Sequence, residues 1–397
     1  MDAESWQRVR LFDVGDWFSG GTPNTSNDAY WNGNIPWISA ASMRTFSIEK
    51  SDRRLTATGA ASGTRMVPPG SILFVVRGMS LNKEFRVGIT RRDVAFGQDC
   101  KAIIPHDWID SEFLANALLA YSPRILEMVE TTSHGTGRLD TQRLGRLVIN
   151  VPGLAEQRRI VDAVTSFDRE IEALEERIDK TSVIAQAVAA DLIHGHPAVR
   201  LGDVLQFKPR NGYSPQDIQA WTGVRSLGLG CLTPEGFQPR QLKNVVADVA
   251  KVERFLLSNG DLLISRANTR ELVGHVGRYQ SVGGICIYPD LMMRLIPDDR
   301  VCLSPYLELV LRAPYVREKI RSGAQGSNES MVKITSRLVE NLAIPLASIE
   351  EQQRIIGIAE GFRAAIAGLV ERVSKLRTIR KALAEDLLTG RVAVGDL

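Results

Sequence analysis

The chain has 397 residues, 44% of them apolar and 24% charged, with a formal net charge of +3. That is too long for one ordinary domain and apolar enough for two packed cores, while the charge is too slight to imply a polyanionic partner by itself. A peptide-sized module, a collagen-like or mucin-like chain and a highly charged tail are excluded.

Residues 1–10 run from acidic to basic without an apolar stretch, so no signal peptide is expected. The longest apolar run, residues 71–76, is strand length, well short of the roughly 20 residues that cross a bilayer. Cys100, Cys231, Cys286 and Cys302 form no C-x-x-C pair, and His194 and His196 flank a glycine without a Cys or carboxylate companion. The expectation is a cytoplasmic protein with no membrane partner, no structural metal and no disulfide frame.

The chain repeats itself. Val9-Arg10-Leu11-Phe12-Asp13-Val14 returns as Val199-Arg200-Leu201-Gly202-Asp203-Val204, 190 residues later. Pro69-Gly70-Ser71-Ile72-Leu73-Phe74 is echoed by Asn259-Gly260-Asp261-Leu262-Leu263-Ile264 at the same offset. Glu156-Gln157-Arg158-Arg159-Ile160-Val161 returns as Glu351-Gln352-Gln353-Arg354-Ile355-Ile356, 195 residues on, and Asp191-Leu192-Ile193-His194-Gly195 as Asp386-Leu387-Leu388-Thr389-Gly390. Order is kept and the offset drifts only as loop insertions would make it, so the chain is a tandem duplication.

Each half opens with about 150 residues of mixed character, by the length of the repeat. Short β-rich runs (72–76, 262–265) are broken by Gly and Pro, helical stretches are expected near 111–130 and 304–321, and Pro152 and Pro345 close these parts. A long helix follows. In the first, apolar residues recur at Ile160, Val164, Phe167, Ile171, Leu174, Ile178, Ala185, Val188 and Leu192, alternating four and three, with Thr181 in one slot. The second repeats the seam at Ile355, Ala359, Phe362, Ile366, Leu369, Val373, Leu376, Leu383 and Leu387, and only Arg380 breaks it. This is the heptad pattern of a coiled coil, and residues 156–192 would run roughly 55 Å.

So narrow a stripe needs a partner helix. Residues 154–195 carry nine acidic and five basic side chains, whereas residues 348–391 carry six and eight. Opposite signs on equal seams favour pairing with each other, antiparallel, over packing of each helix on its own domain alone. The expected organisation is domain 1 (1–153), central helix (154–195), domain 2 (196–347) and C-terminal helix (348–397). The fold class is α+β: two duplicated mixed α/β domains separated by two long antiparallel coiled-coil helices, related by a pseudo-two-fold.

Cations and amides cluster beside the β-runs: Arg77, Lys83, Arg86, Arg91 and Arg92 in the first domain, Arg266, Asn268, Arg270 and Arg278 in the second. Arg and Asn are the side chains that read guanine and adenine edges bidentately, while Lys and backbone amides hold phosphates. Two Gly-rich polar segments also correspond: 133–138, with Thr136 and Arg138, and 324–328, with Ser327 and Asn328, followed by Lys333. The plain alternative is a solvated surface, the better reading of any one of these residues taken singly. Enzyme motifs are missing: there is no G-x-S-x-G, no G-x-x-x-x-G-K-[ST] and no H-E-x-x-H. Asn34-Ile35-Pro36-Trp37 shares the outline of an adenine methyltransferase motif but lacks its first proline.

Gly20-Gly21-Thr22-Pro23, followed by Tyr30-Trp31-Asn32-Gly33-Asn34-Ile35-Pro36-Trp37, resembles the start of the specificity subunit of type I restriction-modification systems. Ile344-Pro345 through Glu351-Gln352-Gln353-Arg354-Ile355, then Asp386-Leu387-Leu388-Thr389-Gly390, resembles its C-terminal conserved helix. In the second domain Pro209-Arg210-Asn211-Gly212-Tyr213 stands where the first has Gly-Gly-Thr-Pro, and no Ile-Pro-Trp follows. The resemblance implies a non-catalytic chain with two target-recognition domains, each reading half of a split, asymmetric double-stranded DNA site, with the helices setting the gap. It makes Thr22, Arg210 and Asn211 further candidate contacts. It also implies two methyltransferase subunits carrying S-adenosylmethionine and, where an endonuclease is present, two such subunits using ATP and Mg, with no cofactor in this chain. The competing readings are a protein-binding scaffold with a coiled-coil spacer and an undetected nuclease or methyltransferase.

Overall fold

A computed structural model describes residues 6–246, 248–326 and 331–392. The chain divides into two compact units, Met1–Glu175 with Glu371–Leu397, and Glu176–Val370. Each unit therefore contains one mixed domain and half of each long helix.

In the first unit, the strand Ile72–Val75 is buried at every position and lies in a five-stranded sheet, between Cys100–Pro105 and Val87–Thr90. A four-stranded sheet carries Trp31–Ile38 in parallel with Val94–Phe96. A three-stranded sheet joins Val129–Thr131, Gly137–Leu139 and Arg77–Gly78. The opening strand Gln7–Arg10 pairs antiparallel with Val148–Val151, Val9 opposite Ile149, which brings the start of the domain back to its end.

The second unit repeats this plan. Ala198–Arg200 pairs antiparallel with Ala343–Pro345, Val199 opposite Ile344. Leu262–Ser265 is again buried throughout and central, between Met292–Leu295 and Val276–Arg278. Its apolar alternation is suppressed for the same reason as in the first unit, because both faces of the strand are covered.

The long helices are Leu154–Ile193 and Ile349–Thr389. Covered residues follow the heptad: Ile160, Val164, Ile171, Leu174, Ile355, Val373 and Leu387 are buried, and Phe167, Ile178, Leu192, Phe362, Ile366 and Leu369 are half-buried. In the first unit the start of the first helix (Ile160, Val164) shares a core with the end of the second (Ala384, Leu387, Leu388). In the second unit Ile193 shares a core with Ile355. The helices are therefore antiparallel. Their ends also enter the domain cores, so pairing and docking on a domain are combined rather than alternatives. The charge difference is used directly: Arg372, Arg377 and Arg380 of the second helix reach Glu170, Glu175 and Asp168 of the first. Arg380, the residue that interrupts the seam, forks onto Asp168 through Nε (3.0 Å) and Nη2 (2.9 Å).

Each helix is fastened to its domain by a glutamine that is 0% exposed. Gln157 Oε1 accepts from the Asp110 amide (2.7 Å), and its Nε2 donates to the carbonyls of Pro152 (2.7 Å) and Trp108 (3.3 Å). Gln352 repeats the arrangement with the Leu303 amide (2.8 Å) and the carbonyls of Ala347 and Val301 (2.9 Å each). A neutral amide offers one acceptor end and one two-donor end, which is the set these three backbone groups need.

Replacing Gln157 or Gln352 with Leu keeps the volume and strands those backbone groups, so each substitution should cost about 2 kcal/mol in urea unfolding. A loss below about 0.5 kcal/mol, inside the range of ordinary surface changes, would show that the amide is dispensable. A double-mutant cycle of Asp168→Ala with Arg380→Ala should return a coupling of about 0.5–1 kcal/mol, the range for a partly exposed pair, falling in high salt.

Candidate nucleic-acid interface

In the first unit Arg77 and Arg138 face each other across paired strands, and both are exposed. Lys83, also exposed, follows the short turn of helix Met79–Asn82. The hairpin between Thr131 and Gly137 rises beside them, closed by the Thr132 amide donating to the Thr136 carbonyl (2.9 Å) and turning at Gly135, φ 77°. Asn82 fixes the hairpin to the turn, donating Nδ2 to the Gly135 carbonyl (2.9 Å) and accepting from Thr131 Oγ1 (3.1 Å). The result is a cationic two-strand platform whose loop is held before any ligand arrives, which lowers the ordering entropy on binding.

The second unit builds the same platform. Ala267–Asn268 pairs with Val332–Lys333, so that Ala267 answers to Arg77 and the exposed Lys333 to Arg138. Arg266, just before this strand, donates to the Asp290 carbonyl (3.2 Å). The Asn268 side-chain Oδ1 accepts from the Thr269 amide (2.9 Å), and Arg270 Nη1 reaches the carbonyls of Arg321 (3.3 Å) and Ala324 (3.4 Å). Ser327 and Asn328 lie outside the described residues.

Other candidates stand apart from the platforms. Arg278 holds Glu308 (2.9 Å), whose side chain is only 5% exposed, and so serves the interior of the second unit. Arg86 bonds Glu84 (3.0 Å) and the Ala40 carbonyl (3.3 Å), Arg91 pairs with Glu112, and Arg92 is exposed beside it. Arg210 and Asn211 are exposed on an edge strand, with the Arg210 guanidinium 5.5 Å from the Phe207 ring. The Thr22 hydroxyl bonds the Gln98 side chain.

The Gly-Gly-Thr-Pro segment is a packing device. A Cβ on Gly20 would meet the carbonyls of Phe96 and Gly97, and one on Gly21 the carbonyl of Gly63. The indole N–H of Trp37 donates to the Gly21 carbonyl and that of Trp31 to the Asn24 carbonyl, each at 3.1 Å. Arg53 lies over Trp31, 3.9 Å from the ring centre.

A bowl of about 570 Å³, lined by Asn32, Ser42, Arg44, Lys50, Asp52 and Arg54, has no counterpart in the sequence pattern. Arg44 and Lys50 come from loops and Arg54 from a strand, and the local sign, Asn32 at φ 64°, becomes visible only in the backbone. The Asn82 clamp was likewise unmarked.

Burial disfavours the thiolate form at all four cysteines. Burial, reinforced by Asp99, pushes Cys100 up to about 12; burial, reinforced by Asp299, does the same to Cys302. Burial lifts Cys286 to about 11 and raises Cys231. Among the described residues no group of His, Cys, Asp and Glu could hold a metal ion, and no helix is long and apolar enough to cross a membrane.

Comparison with known proteins places this architecture. The family model of the type I restriction modification DNA specificity domain matches residues 3–181. The chain is 32% identical over 160 residues to the EcoR124I/EcoR124II specificity subunit of Escherichia coli, covering 40% of each chain. It is 21% identical over 361 residues to the EcoKI specificity subunit of Escherichia coli strain K12, covering 81% of this chain and 74% of the other. The chain thus matches about two-fifths of the length of the first relative and about three-quarters of the second. A solved chain from the type I restriction-modification system, described for its complex assembly and conformational transition, shares the fold over 98% of both chains, with a TM-score of 0.64 and 17% identity. The chain thus shares its overall fold with a protein of a type I restriction-modification system. The match to the type I restriction modification DNA specificity domain lies in the first half of the chain, and the second half is an internal duplicate of the first.

If the platforms face phosphates, Arg138→Ala and Lys333→Ala should each weaken DNA binding and flatten the dependence of log K on log salt by about 0.9. Fluorescence anisotropy across a salt series measures this. An unchanged slope in both variants would place the phosphates elsewhere.

Proposed function

We propose that the chain is the sequence-reading subunit of a type I restriction-modification complex and performs no chemistry itself. Each domain reads one half of a bipartite, asymmetric double-stranded DNA site. The observation that carries this reading is the duplicated cationic platform, Arg77 and Arg138 in one unit and Lys333 with Arg266 in the other, on a fold shared with a solved chain of a type I restriction-modification system. Phosphate contacts position such a domain, and the side chains around them read base edges or shape. Two readers in one chain account for a split target, and their unlike loops account for unlike halves.

The chemistry belongs to partners on this reading. Two methyltransferase subunits bring S-adenosylmethionine, and endonuclease subunits, where present, bring ATP and Mg. Val183, Ile184, Val370 and Ile379 are more than half exposed on the long helices. Large apolar side chains in that state suit docking of protein partners along the helices. The length of the helices sets the number of bases between the half-sites.

Co-expression with the neighbouring methyltransferase gene, followed by methylation-sensitive sequencing, should reveal one bipartite motif. Matched heptads inserted into both helices should change the gap or abolish methylation without altering either half-motif. An assembled, cofactor-loaded complex that methylates nothing would sink the reading, and an unaltered gap at full activity would sink the role of the helices as a spacer.

A further inference from the structure

The first unit has a concavity lined by arginines that have no counterparts at the matching positions of the second. It opens between the strand Gln7–Arg10, the short helix Ser122–Leu126 and the short helix Thr141–Gly145, with a volume of about 380 Å³. Arg8, Arg124, Arg143 and Arg146 line it, and all four are exposed. None of their guanidinium groups has a hydrogen-bond or ion-pair partner among the described residues. Four unpartnered cations around one hollow repel one another, and an entering anion would relieve that repulsion.

The duplication provides an internal control. The strand pairings that put Val9 opposite Ile149 and Val199 opposite Ile344 make Arg8 answer to Ala198. The residues that cap the two equivalent short helices, Asp140 and Thr335, make Arg143 answer to Leu338 and Arg146 to Asn341. The prolines that open the preceding helices, Pro123 and Pro314, make Arg124 answer to Tyr315. All four cations are absent from these positions of the second unit, although the surrounding elements are conserved between the halves.

We propose that this concavity docks an acidic segment of a partner protein, bound by the first unit alone. Arginine forks suit carboxylates and phosphates equally well, so the choice rests on two other observations. The hollow has half-buried Met128, Leu147 and Val148 in its wall, which offer a phosphate nothing but can receive an apolar side chain set between carboxylates. Glu127 on the same wall opposes a dense phosphate charge and can accept from the backbone amides of a bound peptide. The matching segment therefore carries Asp or Glu on both sides of one Leu, Met or Phe.

The inference rests on the chain working inside a complex, as proposed above, and the test separates the two. The full chain is co-expressed with the subunits encoded beside it, carrying Arg143→p-benzoylphenylalanine, and irradiated with and without target DNA. The same substitution at Leu338 is the control. The expected product is a cross-link from position 143 to an acidic stretch of a protein subunit, with none to an acidic stretch from position 338. Arg143→Glu with Arg146→Glu should weaken assembly about tenfold or more, while Arg143→Lys with Arg146→Lys retains most of it. Melting curves check that both pairs stay folded. A cross-link to DNA, equal acidic cross-linking from both positions, or none in a complex that assembles and methylates would overturn the docking site alone. Failure of the unmodified chain to assemble or direct methylation would overturn the functional reading and this inference with it.

Discussion

The buried amide at the foot of each long helix is the contact on which the remaining geometry depends. Gln157 and Gln352 sit in the first turns of their helices and engage only backbone groups: one amide N–H and two carbonyls each. A shorter Asn could not reach both sides, and a Glu would turn a second acceptor, with a charge, toward two carbonyls in a place that water does not enter. Because its partners are backbone, the contact survives wide variation of the side chains around it. It tolerates almost no change in the glutamine itself.

From that fixed point the two halves diverge by degrees. The closing strand pair and the central buried strand keep their register at the duplication offset. The platforms keep their strand pairing and one cation, yet change Arg77 to Ala267 and Gly78 to Asn268. The loops that meet solvent keep least: a tryptophan-held Gly-Gly-Thr-Pro turn in one half corresponds to an Arg-Asn edge strand in the other. Constraint thus falls from buried backbone contacts to the exposed surface, as expected when one scaffold carries two different surfaces.

The long helices were legible because a heptad is a local pattern, and each side chain's place follows from its neighbours three and four positions away. The duplication was legible for a similar reason, since matching buried strands demand matching apolar runs. Arg380 looked like a defect in the seam until its partner Asp168, more than 200 residues away, gave it a reason. The site was less legible. A sequence shows that Arg278 is an arginine beside a strand, but not that Glu308 holds it inward. It shows four arginines at 8, 124, 143 and 146 on three separate elements, and only the fold brings them around one hollow. Long-range convergence leaves no periodic trace.

The division of each helix between the units bears on the order in which the protein can be made. The first unit begins at the start of the chain, yet its core includes Ala384, Leu387 and Leu388, and Asn150 bonds the Thr389 carbonyl (2.8 Å). The second unit is one continuous stretch, Glu176–Val370. A ribosome adding residues one at a time therefore finishes every part of the later unit before it supplies the last pieces of the earlier one. The domain that emerges first must wait, with an apolar flank uncovered, for a helix synthesised some two hundred residues afterwards.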